Sequence, residues 1–241
     1  MLKLSYLYLS LFFFSHFCFS EASITINHRD FVFTNQPRLS EVLSKVADEK
    51  DWYWPTSRLF RVNSNEANKL REMTISNLQS AQLTASHNDA ANFTKLISQI
   101  QNWHLADRIL IKIDFDLAQV DPRYNPRFED GSYRLDLSTR SPYLTIFGLT
   151  DLPRVIKTNK KQCSSELVSE LFLQQENKDY IYIVQPDGVS LKVGIAYWNA
   201  ECVDIMPGSQ IFLPLPESQF SIENTELNRQ IIQLAKNRIL P

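Results

Sequence analysis

The chain has little of what most catalytic and nucleotide-binding sites are built from. Five glycines in 241 residues supply no Gly-rich phosphate loop, and none falls in a G-x-G-x-x-G or P-loop spacing. Outside the first 20 residues the only histidines are His28, His87 and His104, too far apart for metal-ligand spacing, so neither a metal nor a cofactor is expected. Basic blocks are missing too. With 25 Lys and Arg against 27 Asp and Glu, net charge gives no drive toward nucleic acid. Beyond the N-terminal run, no apolar stretch approaches the roughly 20 residues of a spanning helix. The processed chain is expected to have no integral membrane span.

The N-terminal run is the most informative stretch present. Lys3 precedes Leu7–Phe19, which is apolar and aromatic apart from Ser10, Ser15 and His16. Cys18 and Ser20 then stand as small residues at −3 and −1 before Glu21. This is the layout of a secretory signal peptide over residues 1–20; the competing reading, a membrane anchor, requires a longer run. Its removal takes one lysine, leaving 24 basic against 27 acidic side chains and a net charge of −3. Export of the mature chain follows. Cys163 and Cys202 are then an even pair in an oxidising compartment. Either they form a disulfide closing a loop of about 40 residues, the preferred reading, or they are two buried thiols.

The rest alternates short strands with helices, an α+β pattern. Ile24 and Ile26, the turn-rich Asn27-His28-Arg29-Asp30, then Phe31 and Phe33 predict a hairpin. Leu39, Val42, Leu43 and Val46 predict a helix running to Lys50. Residues 63–104 read as an inserted helical hairpin, with Phe93, Leu96, Ile97, Ile100 and Trp103 on one helical face and a break over Thr84–Asp89. Arg108–Asp116 is predicted as one strand, with Ile109, Ile111, Ile113 and Phe115 on one face. The second half repeats this order: a hairpin over Pro142–Ile156, a helix over Ser164–Leu173 and a strand over Tyr180–Val184. Gly131-Ser132 before Tyr133, Leu135 and Leu137 is echoed by Gly208-Ser209 before Ile211, Leu213 and Leu215, which suggests a duplicated unit. Residues 223–239 predict a terminal amphipathic helix on Leu227, Ile231 and Leu234, packing on its own domain or on a partner or membrane surface.

Candidate sites are few. On the predicted strand Asp114 and Asp116 share a face, as an acid–base pair or as solvated surface acids. Arg108 shares that face and offers a fork for a carboxylate or sugar hydroxyls, or a surface ion pair with the aspartates. Trp52-Tyr53-Trp54 and Tyr197-Trp198-Asn199 provide aromatic faces that stack on sugar rings or anchor a core.

Five stretches carry a family resemblance: Pro37-Arg38-Leu39-Ser40-Glu41-Val42-Leu43; Trp52-Tyr53-Trp54-Pro55; Asn125-Pro126 with Gly131-Ser132-Tyr133; Val184-Gln185-Pro186-Asp187-Gly188 with Tyr197-Trp198-Asn199; and Pro207–Pro214 followed by the terminal helix. In this order the chain resembles the capsule biosynthesis GfcC family, periplasmic proteins of bacterial group 4 capsule and related exopolysaccharide clusters. The resemblance implies two β-grasp domains in tandem, over residues 21–140 and 141–220, similar to those of outer-membrane polysaccharide export channels. It also implies a helical-hairpin insertion in the first and an amphipathic helix over 221–241. It implies a non-catalytic role, with the polysaccharide or a component of the export machinery, such as the outer-membrane channel, as partner. A pocket arginine on a β-grasp strand is implied as well; Arg108 is the match, with Arg123 and Arg127 in the nearby loop. Arg108, Trp52, Trp54 and Trp198 are therefore the expected ligand-binding residues. No ring-forming interface is evident, and a monomer is expected. The alternative is a periplasmic glycan-modifying enzyme using Asp114 and Asp116.

Overall fold

A computed structural model describes residues 21–150, 154–157, 163–167, 179–217 and 222–240. The expected signal peptide and most of the helix expected over Ser164–Leu173 lie outside the described residues. Ala22, Ile24 and Ile26 bury one face of β1 (Ala22–Ile26), which turns back into β2 (Arg29–Phe33). Asn27 and His28 form the two-residue turn with φ of 44° and 70°, the left-handed pair that a right-twisted hairpin requires. The Asn27 amide also clips the chain at Leu137, accepting from its N–H at 2.8 Å and donating to its carbonyl at 2.9 Å. Next come α1 (Leu39–Leu43), β3 (Arg58–Arg61), the long helices α2 (Glu66–Thr84) and α3 (His87–Gln101), β4 (Asp107–Ile109), α4 (Phe115–Val120) and β5 (Gly131–Asp136). These strands form a sheet in the order β2-β1-β5-β3-β4, with only β1 and β5 parallel.

The second half repeats the plan. It contains β6 (Tyr143–Gly148), β7 (Arg154–Lys157), a helical stretch at 164–167, β8 (Tyr180–Val184), β9 (Ser190–Gly194) and β10 (Gln210–Leu213). Its sheet runs β7-β6-β10-β8-β9, again with one parallel pair, β6 with β10. Element by element this is the order of the first sheet. Gly131-Ser132 opens β5 and Gly208-Ser209 directly precedes β10, the central strand of each sheet, so the duplication suggested by the sequence is real at the level of topology. The fold is the expected α+β tandem.

Two expectations need correction. The α1 helix stops at Leu43 and not near Lys50, because Lys45 and Val46 donate to carbonyls three residues back and tighten the chain. The strand expected over Arg108–Asp116 ends at Ile109. Ile109, Ile111, Ile113 and Phe115 do pack on the first core. Their alternation records one-sided burial beyond the end of an edge strand, where no neighbour continues the ladder. Asp114 instead caps α4, accepting from the Leu117 N–H at 3.0 Å. Asp114 and Asp116 thus belong to a helix start and share no strand face.

The α2–α3 hairpin borders a core of its own. Ser86 caps α3, its hydroxyl accepting from the Asp89 N–H. The α3 stripe of Phe93, Leu96, Ile100 and Trp103 meets Phe147, Val184 and Phe212 of the second sheet. Leu227, Ile231, Leu234 and Ala235 of the terminal helix, α5 (Ile222–Lys236), fill the same core at 0–2% exposure. The terminal helix therefore packs on its own chain. Side-chain amides pin these parts to backbone that would otherwise end unpaired. Gln99 exchanges two bonds with Gly148, and Asn228 exchanges two with Leu215. The opposite face of the second sheet holds Ile146, Ile181, Ile183, Val193, Ile211 and Leu213 with Leu167, so this sheet is covered on both sides. Cys163 and Cys202 form a disulfide that ties the start of the 164–167 helix to the loop before β10.

Ile231→Ala is expected to cost about 2–5 kcal/mol in urea unfolding, whereas Arg229→Ala on the exposed face of α5 changes stability by less than about 1 kcal/mol. Reducing the disulfide is expected to cost about 2–4 kcal/mol, read as a lower urea midpoint in dithiothreitol. An unchanged midpoint in a Cys163→Ser, Cys202→Ser variant would remove that contribution.

Candidate functional site

Strand register decides which side chains of the first sheet look away from its core. Phe60 lies opposite Arg108 on β4 and Arg134 on β5, and Arg58 lies opposite Asp136. With a period of two, Arg58, Phe60, Arg108, Arg134 and Asp136 share one face, while Leu59, Ile109, Tyr133 and Leu135 fill the core on the other. This charged face meets the second half of the chain. Arg58 Nη2 donates to the Gly208 carbonyl at 3.2 Å, and Arg108 Nη2 donates to the Pro186 carbonyl. Gly188, at φ +92°, lies so close to Leu110 that an added Cβ would collide with its side chain.

The segment after α5 closes this joint from a third side. Ala106 N–H donates to the Asn237 carbonyl, Arg108 N–H to Asn237 Oδ1 and Ile239 N–H to the His104 carbonyl. Arg238 is carried in with its guanidinium carbon 4.9 Å from the Trp103 ring centre, a cation–π contact.

Three guanidinium groups are thereby brought together largely out of water. Arg58 Nε, Arg108 Nε and Arg238 Nη1 are buried without hydrogen-bond partners, and none of the three groups forms a salt bridge among the described residues. Burial, reinforced by the charge of Arg58 and only partly offset by Asp187, pushes Arg108 down to about 10. Burial and the charge of Arg58 also push Arg238 down to about 10. Burial lowers Arg58 against the pull of Asp136, and lowers Lys236, with Arg108 adding repulsion. The three guanidinium groups remain cationic at neutral pH. The joint is a pocket of positive charge.

A cleft of about 480 Å³ opens beside it, between the charged face of the first sheet and β6 and β7 of the second. Arg58, Arg134 and Asp136 line one side, Tyr143, Thr145 and Val155 the other, and Thr56, Ser138 and Ser141 contribute hydroxyls. Arg134 is already paired with Asp136 at 2.7 Å.

The residues singled out from the sequence lie at three separate places. Arg108 sits in the joint and does not line the cleft. Trp52 and Trp54 pack against the first core, and Trp52 Nε1 donates to the Val46 carbonyl at 2.8 Å. Trp198 is 74% exposed beside fully exposed Tyr197, on the turn after β9. Arg58, Tyr143 and Arg238 were not foreseen. Their one sequence signal is an arginine alternating with buried Phe60 on a short strand.

Residues 22–140 match the family model for the N-terminal part of the capsule biosynthesis protein GfcC, and residues 155–240 match the model for its C-terminal part. The chain belongs to the GfcC capsule biosynthesis family. The uncharacterized protein YjbG of Escherichia coli (strain K12) is 34% identical to this GfcC-family chain over 156 residues, covering 64% of the chain and 63% of the relative. The chain thus spans just under two thirds of that relative's length.

Replacing one cation of the joint by an apolar side chain relieves repulsion and removes a desolvation cost. Arg238→Met keeps an apolar stem against Trp103 and is expected to leave stability unchanged or raise it by up to about 4 kcal/mol at pH 7. A loss of more than 2 kcal/mol in urea unfolding (roughly the scale of a broken charge-assisted bond) would contradict uncompensated burial.

Proposed function

We propose that this protein is a non-catalytic periplasmic accessory factor for capsule or exopolysaccharide biosynthesis and export, and that it acts by binding the polysaccharide or a component of the export machinery. The observation that carries this reading is the family match across both halves of the chain. Export into the periplasm is supported by the signal-peptide pattern over residues 1–20 and by the Cys163–Cys202 disulfide. Among the described residues, no helix is long and apolar enough to cross a membrane. Binding is supported by the cleft between the two sheets, whose size falls within the range of about 300–1,000 Å³ for small-molecule sites. Its mixture of guanidinium, hydroxyl and aromatic groups suits a sugar. Against the enzymatic alternative, Asp114 and Asp116 do not form the strand-face pair it supposed, since Asp114 caps α4.

The test is surface polysaccharide on a deletion strain. Deletion is expected to reduce it, and both wild type and an Asp114→Asn, Asp116→Asn double variant should restore it, because asparagine also caps a helix. Unchanged polysaccharide on deletion would refute the role. Failure of the double variant to restore it, with the protein folded, would revive the aspartates as catalytic groups.

A further inference from the structure

We infer that the cleft holds an acidic sugar residue, with its carboxylate on the guanidinium of Arg58 and one face of its ring against Tyr143. The inference rests on the polysaccharide reading above and narrows its ligand class.

The argument begins with charge. Among the charged side chains lining the cleft, Arg134 and Asp136 neutralise one another at 2.7 Å. Arg58 feels the pull of Asp136 but forms no salt bridge among the described residues, and its Nε is buried and unpartnered. Behind it stand Arg108, Arg238 and Lys236, which deepen the positive potential at the cleft wall. Keeping three guanidinium groups together largely out of water is unfavourable, and an anion entering from the cleft offsets that cost. A guanidinium is matched to a carboxylate in a two-bond fork.

Shape then separates a sugar acid from a simple anion. Tyr143 opens β6 on the opposite wall with 48% of its surface exposed, so a flat aromatic face is available for the apolar side of a pyranose ring. Thr56 and Ser138 hydroxyls, 2.9 Å apart, and Ser141 line the same space. Hydroxyls both donate and accept, as ring hydroxyls require. Sulfate or phosphate would satisfy Arg58 but would leave Tyr143 with nothing to cover it.

The test uses the purified mature protein in calorimetric titrations with oligogalacturonate, oligoglucuronate and oligomannuronate, each alongside its neutral methyl ester and alongside sodium sulfate. At least one acid is expected to bind, with its ester weaker by roughly tenfold or more, the scale of one charge-assisted hydrogen bond. Arg58→Met should lose the difference between acid and ester, and Tyr143→Ala should weaken acid and ester alike. The acid–ester comparison needs no variant, so the inference stays open to refutation even if Arg58→Met does not fold. Equal affinity for acid and ester would overturn it while leaving polysaccharide binding intact. Sulfate binding as tightly as the acids would reduce the site to an anion site and overturn the sugar assignment. If no saccharide binds, the inference fails, and the deletion phenotype separately decides the role.

Discussion

The shared apolar core between the α2–α3 hairpin, the back of the second sheet and α5 is the contact on which the rest of the structure depends. The hairpin, the sheet and α5 cover one another: Phe147 and Phe212 stack 5.0 Å apart on the sheet side, and Trp103 meets Phe147 edge-on at 5.2 Å from the hairpin side. Apolar burial is non-directional, so orientation comes from the amide clips. Gln99 on Gly148 and Asn228 on Leu215 each match a donor and an acceptor to one backbone position. The hairpin, although inserted in the first half of the sequence, thereby belongs to the core of the second.

That arrangement also explains why the arginines are where they are. With the hairpin seated on the second sheet, β3 and β4 at its base are held against the loops at Gly208 and Pro186. A purely apolar joint at this place would be the more stable solution. The chain instead brings Arg58, Arg108 and Arg238 to it and leaves guanidinium nitrogens unpaired. Unpaired buried charge is the kind of local disadvantage that persists where a site needs it.

Much of the architecture was legible because it rests on local periodicity. Ile24 and Ile26, the α3 stripe from Phe93 to Ile100 and Tyr180–Val184 all stand in the elements their spacing predicts. The errors arose where one pattern has two causes. Ile109, Ile111 and Ile113 alternate because one side is buried, and alternation does not reveal whether a neighbouring strand is present. The cleft was illegible for a different reason. Arg58, Tyr143 and Arg238 lie in three distant parts of the chain, and only the parallel pairing at the centre of each sheet and the return of the chain after α5 bring them near one another. Trp52 and Trp54 drew attention by composition, but their environment is the core.

The pairing of Asn237 and Ile239 with residues 104–108 has a temporal consequence. Contacts between such distant parts of a sequence form late. A chain emerging in order from its N-terminus can build the first sheet early, yet that sheet's edge and the arginine joint stay open until the segment beyond α5 arrives. Without Asn237 and Ile239, β4 would stay unsealed even with both sheets formed. The segment after α5 thus acts as a latch, the contact that closes the first sheet onto the second.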